Sequence, residues 1–309
     1  MLTRTFVIFA LGLLASGALR VIHTSDQGAP LPAEDFWLQK TYPESLFDGV
    51  IVGNSRTFRG LSPAAMKASL PGLQLHNFGY SAARLTPDYL DAAEALLKPK
   101  GRSRFLVVGL TGHSLSRPKP GQPANPHLRK FTQTPAHEAW LRRRATVLAS
   151  RWFPSLVADP TIDLQIALQG SGVVRYNKRF FPTGFVASDM VPRDPARVLA
   201  KYKKTLAAHP TSPAALSELV AWVFEARKRD LSIFVFEPPR PEATAQLELG
   251  LGRFDPERSK TLLKAAGAVW LDVPTQGMHS YDGSHLEPAS AKVLSLALAQ
   301  GIAASLKQP

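Results

Sequence analysis

The stretch from Asp48 to Thr57 constrains the fold of this chain more than any other. Its apolar run, residues 50–52, ends abruptly in small and polar residues. That pattern is typical of a buried parallel strand that ends at the carboxyl edge of a sheet. Gly53 permits a tight turn just before Ser55, and the Leu-Ser-Pro of residues 61–63 has the residue types that begin a helix. The spacing predicts a strand, a sharp turn that exposes a serine hydroxyl, and a helix.

A second motif lies near the other end of the chain, in residues 281–286. There Asp282 precedes His285 by three residues. A carboxylate held in a turn can orient one imidazole nitrogen and leave the other facing a serine. A lone Gly-x-Ser usually marks a turn serine that bonds its own backbone. Together, however, Ser55, His285 and Asp282 predict a catalytic triad of nucleophile, general base and orienting carboxylate.

The rest of the chain alternates between strand and helix patterns. Further strands are predicted over residues 73–78, 105–110, 231–236 and 269–273, and helices begin near residues 86, 211, 257 and 288. This alternation indicates right-handed crossovers and a parallel sheet with its site at the carboxyl edge. Residues 115–210 interrupt the rhythm. The basic and aromatic residues 175–181 within them could line a substrate cleft or form an ordinary loop.

Three of these segments resemble motifs of the SGNH (GDSL-like) hydrolase family. Residues 53–56 (Gly-Asn-Ser-Arg) resemble its first block, residues 77–82 its second, and residues 282–286 its fifth. The resemblance implies an α/β fold of the flavodoxin-like type, with a five-stranded parallel sheet, helices on both faces and an insertion after the third strand. It also implies oxyanion donors at the amides of Ser55 and Gly79, with Asn77 shaping that loop.

The chain departs from the family at the third block, which usually reads Gly-x-Asn-Asp. Here residues 109–114 read Gly-Leu-Thr-Gly-His-Ser, without asparagine. His113 could donate a hydrogen bond to an oxyanion or simply fill the pocket wall. Since one oxyanion donor is worth about 10²–10³ in rate, the change could mean slow hydrolysis, another donor or lost activity. Glu237 could touch the cleft or form a peripheral salt bridge, and Asp272 is expected to cap a turn.

Composition limits the partners of the chain. The 309 residues carry a formal charge of +13 with a pI near 10.1 and contain no cysteine. The charge favours an anionic membrane surface or polymer as a neighbour, whereas no nucleic-acid-binding motif is present, so we expect no nucleic-acid partner. Residues 140–153 are predicted to form a helix with arginines around an apolar face. It could lie on lipid or pack into the core. No metal or cofactor is predicted.

The N-terminal residues 1–22 predict a signal peptide or an uncleaved membrane anchor. Arg4 precedes an apolar run that ends in small residues, and Arg20 then interrupts it. Residues 23–43 are rich in Pro, Asp and Gly, which predicts a surface linker before an SGNH-like domain over residues 44–309. We therefore expect a protein exported to the periplasm or cell envelope.

The function expected from these motifs is serine-dependent ester chemistry. The acyl-enzyme would pass its acyl group to water or to a sugar hydroxyl, so the substrate is a small ester or an acylated carbohydrate, and a membrane-bound acyl-transfer protein is a conceivable partner. By analogy with SGNH-like proteins that modify envelope polysaccharides, an envelope substrate is favoured. The alternative is a non-catalytic envelope scaffold that binds an anionic polymer through its basic segment.

Overall fold

A parallel sheet forms the centre of the protein. The computed structural model describes residues 30–99, 104–132 and 175–307, with the isolated residues 138, 141 and 145. Its strands are β1 (Gly49–Val52), β2 (Leu75–Asn77), β3 (Phe105–Gly109), β4 (Arg175–Phe180), β5 (Val186–Val191), β6 (Ser232–Phe236) and β7 (Val269–Trp270). Five of them form one sheet in the order β2-β1-β3-β6-β7, and every pairing in it is parallel. The α/β prediction with a five-stranded parallel sheet is confirmed.

Helices connect the strands and cover the sheet. The described α-helices are Ala33–Thr41, Ser55–Gly60, Pro63–Met66, Pro87–Glu94, Pro126–Thr132, Pro195–Ala208, Pro213–Lys228, Glu242–Gly250, Pro256–Ala265 and Pro288–Leu306. Several begin at a proline after a polar cap. Ser62 Oγ accepts from the amide of Ala65 at 3.3 Å, and Ser212 Oγ accepts from Ala215 at 3.4 Å. The helix starts predicted near residues 62 and 212 are therefore confirmed.

The sheet separates two hydrophobic clusters because successive strand residues point to opposite faces. Val50, Val52 and Val108 belong to one cluster, which includes residues of helices Pro87–Glu94 and Pro213–Lys228. Ile51 and Val107 belong to the other, which includes residues of helix Pro288–Leu306. A strand buried on both faces must be apolar throughout, which explains the unbroken apolar runs in the sequence.

Helix Pro288–Leu306 is, within the described part of the chain, the one helix long and apolar enough to cross a membrane. A buried core helix passes the same test of length and composition. Leu294, Leu298 and Ile302 are buried in the cluster on one face of the sheet. Each such side chain contributes about 1.5–3 kcal/mol when fully buried, so this helix is part of the core.

An antiparallel hairpin, β4 and β5, lies in the stretch that interrupts the strand–helix alternation. Its tip contacts the main sheet, where the amide of Asn77 donates to the carbonyl of Thr183 at 2.9 Å. Gly184 at the tip has φ +85°, and a Cβ there would collide with the carbonyl of Asn77. The sequence predicted no hairpin here, because strongly basic residues hide the alternation of β4.

The segment predicted as a linker, residues 23–43, contains structure in its described part. Helix Ala33–Thr41 buries Phe36 and Leu38, and its Lys40 donates from Nζ to the carbonyl of Gly184 at 2.8 Å. The linker prediction is therefore wrong for residues 33–41, because these apolar side chains have a surface to pack on. The predicted signal or anchor at residues 1–22 and most of the basic helix at residues 140–153 lie outside the described residues.

Candidate active site

The loop that carries Ser55 follows β1, as the sequence predicted. Gly53 has φ +145°, and a Cβ at this position would collide with the Thr57 hydroxyl. Asn54 caps the short helix Ser55–Gly60 by accepting a hydrogen bond from the Arg56 amide at 3.1 Å. The side-chain amide of Asn54 donates to Thr111 Oγ1 at 2.7 Å, at the end of β3. The turn, the cap and the neighbouring strand together place Ser55 at the start of the helix.

The structure brings the three predicted triad residues together. Ser55 Oγ lies 2.8 Å from His285 Nε2, and His285 Nδ1 lies 2.7 Å from Asp282 Oδ2. The other carboxylate oxygen of Asp282 accepts from the amides of Ser284 and His285 at 2.9 and 2.8 Å. These backbone hydrogen bonds fix the carboxylate, which in turn fixes the imidazole. Ser55 and His285 lie 230 positions apart along the chain, so their contact links the loop after β1 with the turn before helix Pro288–Leu306.

The protonation states suit this arrangement. Burial lowers the pKa of His285 to about 4, and the charge of Arg59 acts in the same direction, against the raising effect of Asp282. Burial alone would raise the pKa of Asp282, but the hydrogen bonds that it accepts from His285 and from the Ser284 amide hold it below its usual range. At neutral pH, therefore, an ionised carboxylate faces a neutral imidazole that can accept the serine proton.

Gly79 and Asn77, the residues expected at the oxyanion hole, are hydrogen-bonded within the protein. The amide of Gly79 already donates to Asn77 Oδ1 at 3.1 Å, and Gly79 is buried. The side-chain amide of Asn77 donates to the carbonyl of Leu61 at 2.8 Å. The N–H of Gly79 is thus paired within the protein, and its role as an oxyanion donor stays a prediction. The role of Asn77 in shaping the loop fits these contacts.

A cavity of about 390 Å³ opens beside Ser55. Its lining residues come from helix Ser55–Gly60 and its cap, the loops after β2 and β3, the hairpin, helix Pro195–Ala208 and the turn of residues 282–285. They are Asn54, Ser55, Arg56, Arg59, Ala82, His113, Tyr176, Lys178, Val198, Lys201, Tyr202, Thr205, Asp282, Ser284 and His285. This volume is in the range of small-molecule sites. Tyr176 and Lys178 belong to the basic-aromatic segment that the sequence placed either at the cleft or in a loop.

Two other residues of the cavity wall, Ala82 and His113, have features that suit the binding of a negatively charged oxygen. Ala82 adopts a left-handed conformation with φ +53°, which is uncommon for a residue with a Cβ and is often found at functional loops. His113 lies in the wall, and burial lowers its pKa to about 4, so its imidazole is neutral at pH 7. Its Nδ1 is buried and has no hydrogen-bond partner among the described residues.

A buried ionic network that the sequence did not predict lies beside Ser55, around its neighbour Arg56. Arg56 forms an ion pair with Glu248, which also accepts a hydrogen bond from the Tyr202 hydroxyl at 2.6 Å and forms a second ion pair with Arg240 at 2.8 Å. Burial alone would lower the pKa of Arg56, but the Glu248 charge raises it above its usual value. Glu237 pairs with Arg240 at the edge of this network, so the salt-bridge interpretation of Glu237 holds. The signal in the sequence was weak, because Arg56 and Glu248 lie far apart along the chain.

The remaining polar candidates lie away from the cavity. Asp272 is exposed and pairs with Lys260 at 2.8 Å, and His279 is exposed. His76 is buried in β2, where its Nε2 lies 3.1 Å from the carbonyl of Lys40. Throughout the described ranges, no group of three or more His, Asp or Glu side chains is placed to hold a metal ion.

In comparisons with protein-family models, curated proteins and solved structures, none matches this chain. The function of the chain must therefore be inferred from the geometry around Ser55.

Proposed function

We propose that this protein is a serine-dependent acyl-ester hydrolase or O-acyltransferase of the SGNH-like type. The observation that carries the proposal is the continuous hydrogen-bonded chain from Ser55 Oγ through His285 to Asp282. A buried ionised carboxylate, a neutral imidazole and a serine at the edge of a cavity match the roles of a nucleophilic triad. The altered third block and the long segment after the third strand make it a divergent member of that family.

In this mechanism Ser55 Oγ attacks the carbonyl carbon of the ester while His285 Nε2 takes the hydroxyl proton. Asp282 holds the proton on Nδ1 and stabilises the imidazolium that forms. Collapse of the tetrahedral intermediate breaks the bond to the alcohol oxygen, which receives the proton from His285. Water or an acceptor hydroxyl then attacks the acyl-enzyme, and His285 takes its proton and returns it to Ser55.

The negative oxygen of the intermediate needs donors beside Ser55. The amide of Ser55 is the first of its helix, where no preceding helical carbonyl can accept from it. We assign the second donor to the amide of Ala82 and a third to the neutral imidazole of His113, both of which line the cavity. In a crystal structure of a phosphonate adduct on Ser55, the phosphoryl oxygen should face Ala82. An oxygen directed to the Gly79 amide would refute this assignment.

The acyl donor in this proposal is a small ester or an acylated carbohydrate of the cell envelope. Export rests on the sequence of residues 1–22, and attraction to an anionic membrane or polymer rests on the charge of +13. Fractionation of cells tests the location. A full-length protein found only in the cytoplasm would contradict it.

The decisive experiment is labelling of Ser55 by a fluorophosphonate. The intact protein should react, and Ser55→Ala and His285→Ala should not, because neither residue alone provides an activated nucleophile. Ser81→Ala, a serine substitution in the neighbouring loop, is the matched control and should react like the intact protein. Adduct formation is read by mass spectrometry of the intact chain, and 4-nitrophenyl acetate turnover is followed in parallel.

Two results would contradict the proposal. One is equal labelling of Ser55→Ala and the intact protein, which would place the reactive group elsewhere. The other is the absence of labelling and turnover in a folded intact protein. In that case, retained binding to an anionic polymer would favour the non-catalytic scaffold.

A further inference from the structure

The cavity beside Ser55 contains cations from three separate elements of the fold. Arg59 comes from helix Ser55–Gly60, Lys178 from strand β4, and Lys201 from helix Pro195–Ala208. Among the described residues, none of the three forms an ion pair with a carboxylate. Like charges that converge on one cavity repel each other, so core stability does not explain this arrangement.

The carboxylate that lines the cavity already has hydrogen-bond partners within the protein. Asp282 is the sole carboxylate among the residues that line it, and both of its oxygens are occupied by hydrogen bonds from residues 284 and 285. The fourth lining cation, Arg56, is neutralised by Glu248. An excess of positive charge therefore remains at Arg59, Lys178 and Lys201.

Arg59 is positioned to act on the same molecule as Ser55. The two residues lie four positions apart on one helix, which places their Cβ atoms about 5–6 Å apart on the same face. Nη1 of Arg59 donates to the Tyr281 hydroxyl at 2.8 Å, and that hydroxyl also contacts Ser188 Oγ at 2.8 Å. The Tyr281 ring stacks on His285 with centroids 5.9 Å apart. The guanidinium is thus held close to the triad.

Arg59 has unused hydrogen-bonding capacity in this position. Its Nε is buried without a partner in the described part of the chain. Burial lowers the pKa of Lys178, and the charge of Arg59 lowers it further. An anion between them would relieve this repulsion and accept hydrogen bonds from both side chains.

We propose that the cavity binds an acyl ester carrying an anionic group, such as a carboxylate or a phosphate, about one helical turn from the scissile carbonyl. Arg59, Lys178 and Lys201 hold that group while the carbonyl lies at Ser55. This inference rests on the proposed function and names its substrate class.

Binding can be tested without any turnover. The probes are 3-acetamidobenzoate, 3-acetamidophenyl phosphate and the neutral 3-acetamidobenzamide, which keep the shape of an acetyl ester but contain a stable amide. Calorimetry at low salt should show that at least one anion binds about tenfold or more tightly than the neutral probe. Preference for the benzoate or for the phosphate identifies the class of anion. Added salt should reduce the difference, because two of the three cations are exposed.

Charge variants locate the binding site. Arg59→Gln and Lys201→Gln should each reduce the preference for the anion several-fold. Lys203→Gln is the matched control, because it removes the same charge from the same exposed helix at a residue that does not line the cavity. Equal loss in Lys203→Gln and Lys201→Gln would indicate general attraction by net charge and would overturn the proposal.

Turnover separates this inference from the proposed function. With 3-acetoxybenzoate and 3-acetoxybenzamide, kcat/KM divided by the hydroxide-catalysed rate should be higher for the benzoate, mainly through a lower KM. Equal binding and equal normalised turnover of the charged and neutral probes would overturn the anion site while leaving the esterase intact. Selective anion binding by a protein that never reacts at Ser55 would refute the proposed chemistry and the ester as its ligand.

Discussion

The pH dependence of Ser55 reactivity follows from the surroundings of His285. The triad works only while the imidazole is neutral, because a protonated ring cannot accept the serine proton. Burial and the charges of Arg59 and Arg56 lower the pKa of His285, whereas Asp282 raises it, and the balance lies at about 4. We therefore expect the nucleophile to stay active in mildly acidic solution.

The expected size of the effect comes from the neutral fraction of the imidazole. With a pKa of about 4, roughly nine tenths or more of the rings are neutral at both pH 5.5 and pH 7.5. For a histidine with an ordinary pKa of about 6.5, only about a tenth would be neutral at pH 5.5. The rate of Ser55 labelling should therefore be nearly the same at pH 5.5 and at pH 7.5. A histidine with an ordinary pKa would make the rate at pH 5.5 about tenfold lower than at pH 7.5.

The assay is the second-order rate of fluorophosphonate labelling between pH 4.5 and pH 8, with circular dichroism to show that the protein stays folded. Arg59→Gln should move the midpoint of the profile upward, because it removes a positive charge that opposes protonation of His285. Lys203→Gln serves as the control for net charge. A midpoint near pH 6.5 in the intact protein would refute the reasoning, since it would mean that His285 is neither desolvated nor affected by these charges.

Three further predictions concern stability in urea. His76, His113 and His285 take up protons on unfolding between their folded pKa values, about 3 to 4, and the ordinary value of about 6.5. Each histidine should lower the free energy of unfolding by up to about 1.4 kcal/mol per pH unit as the pH falls through that window. His76→Gln should reduce the slope of the free energy of unfolding against pH. Glu248→Gln leaves the buried Arg56 without its carboxylate and should cost about 3–5 kcal/mol, so an unchanged midpoint would contradict the network. Leu294→Ala should cost about 2–5 kcal/mol and the exposed Val293→Ala less than about 0.5 kcal/mol. Equal effects would contradict the core position of their helix.

The parts of the fold that were predictable from the sequence are specified by neighbouring residues. The apolar run before Ser55, the glycine turn and the caps at Ser62 and Ser212 each act within a few positions of the chain. Asp282 and His285 are also neighbours in one turn, so their pairing has a local signal. The long contact from His285 to Ser55 follows because strand ends meet at one edge of a parallel sheet.

The parts that could not be predicted depend on contacts between distant residues. Helix Ala33–Thr41 is stable because Phe36 and Lys40 find partners such as Phe58 and Gly184 in the folded core. A segment of 9 residues rich in polar side chains gives little helical signal without them. The ion pair of Arg56 with Glu248 joins residues 192 positions apart, and neither residue's neighbours indicate it.

The end of β3 shows how a departure from the expected motif can retain the geometry of the site. Thr111 belongs to the segment that lacks the expected asparagine, and its hydroxyl accepts from Asn54 Nδ2 at 2.7 Å and from the Ser114 amide at 3.1 Å. Asn54 in turn caps the helix that begins at Ser55. Thr111 therefore supports the nucleophile from behind, while His113, two residues later, lines the cavity. The end of β3 therefore places polar side chains at the site although it contains no asparagine.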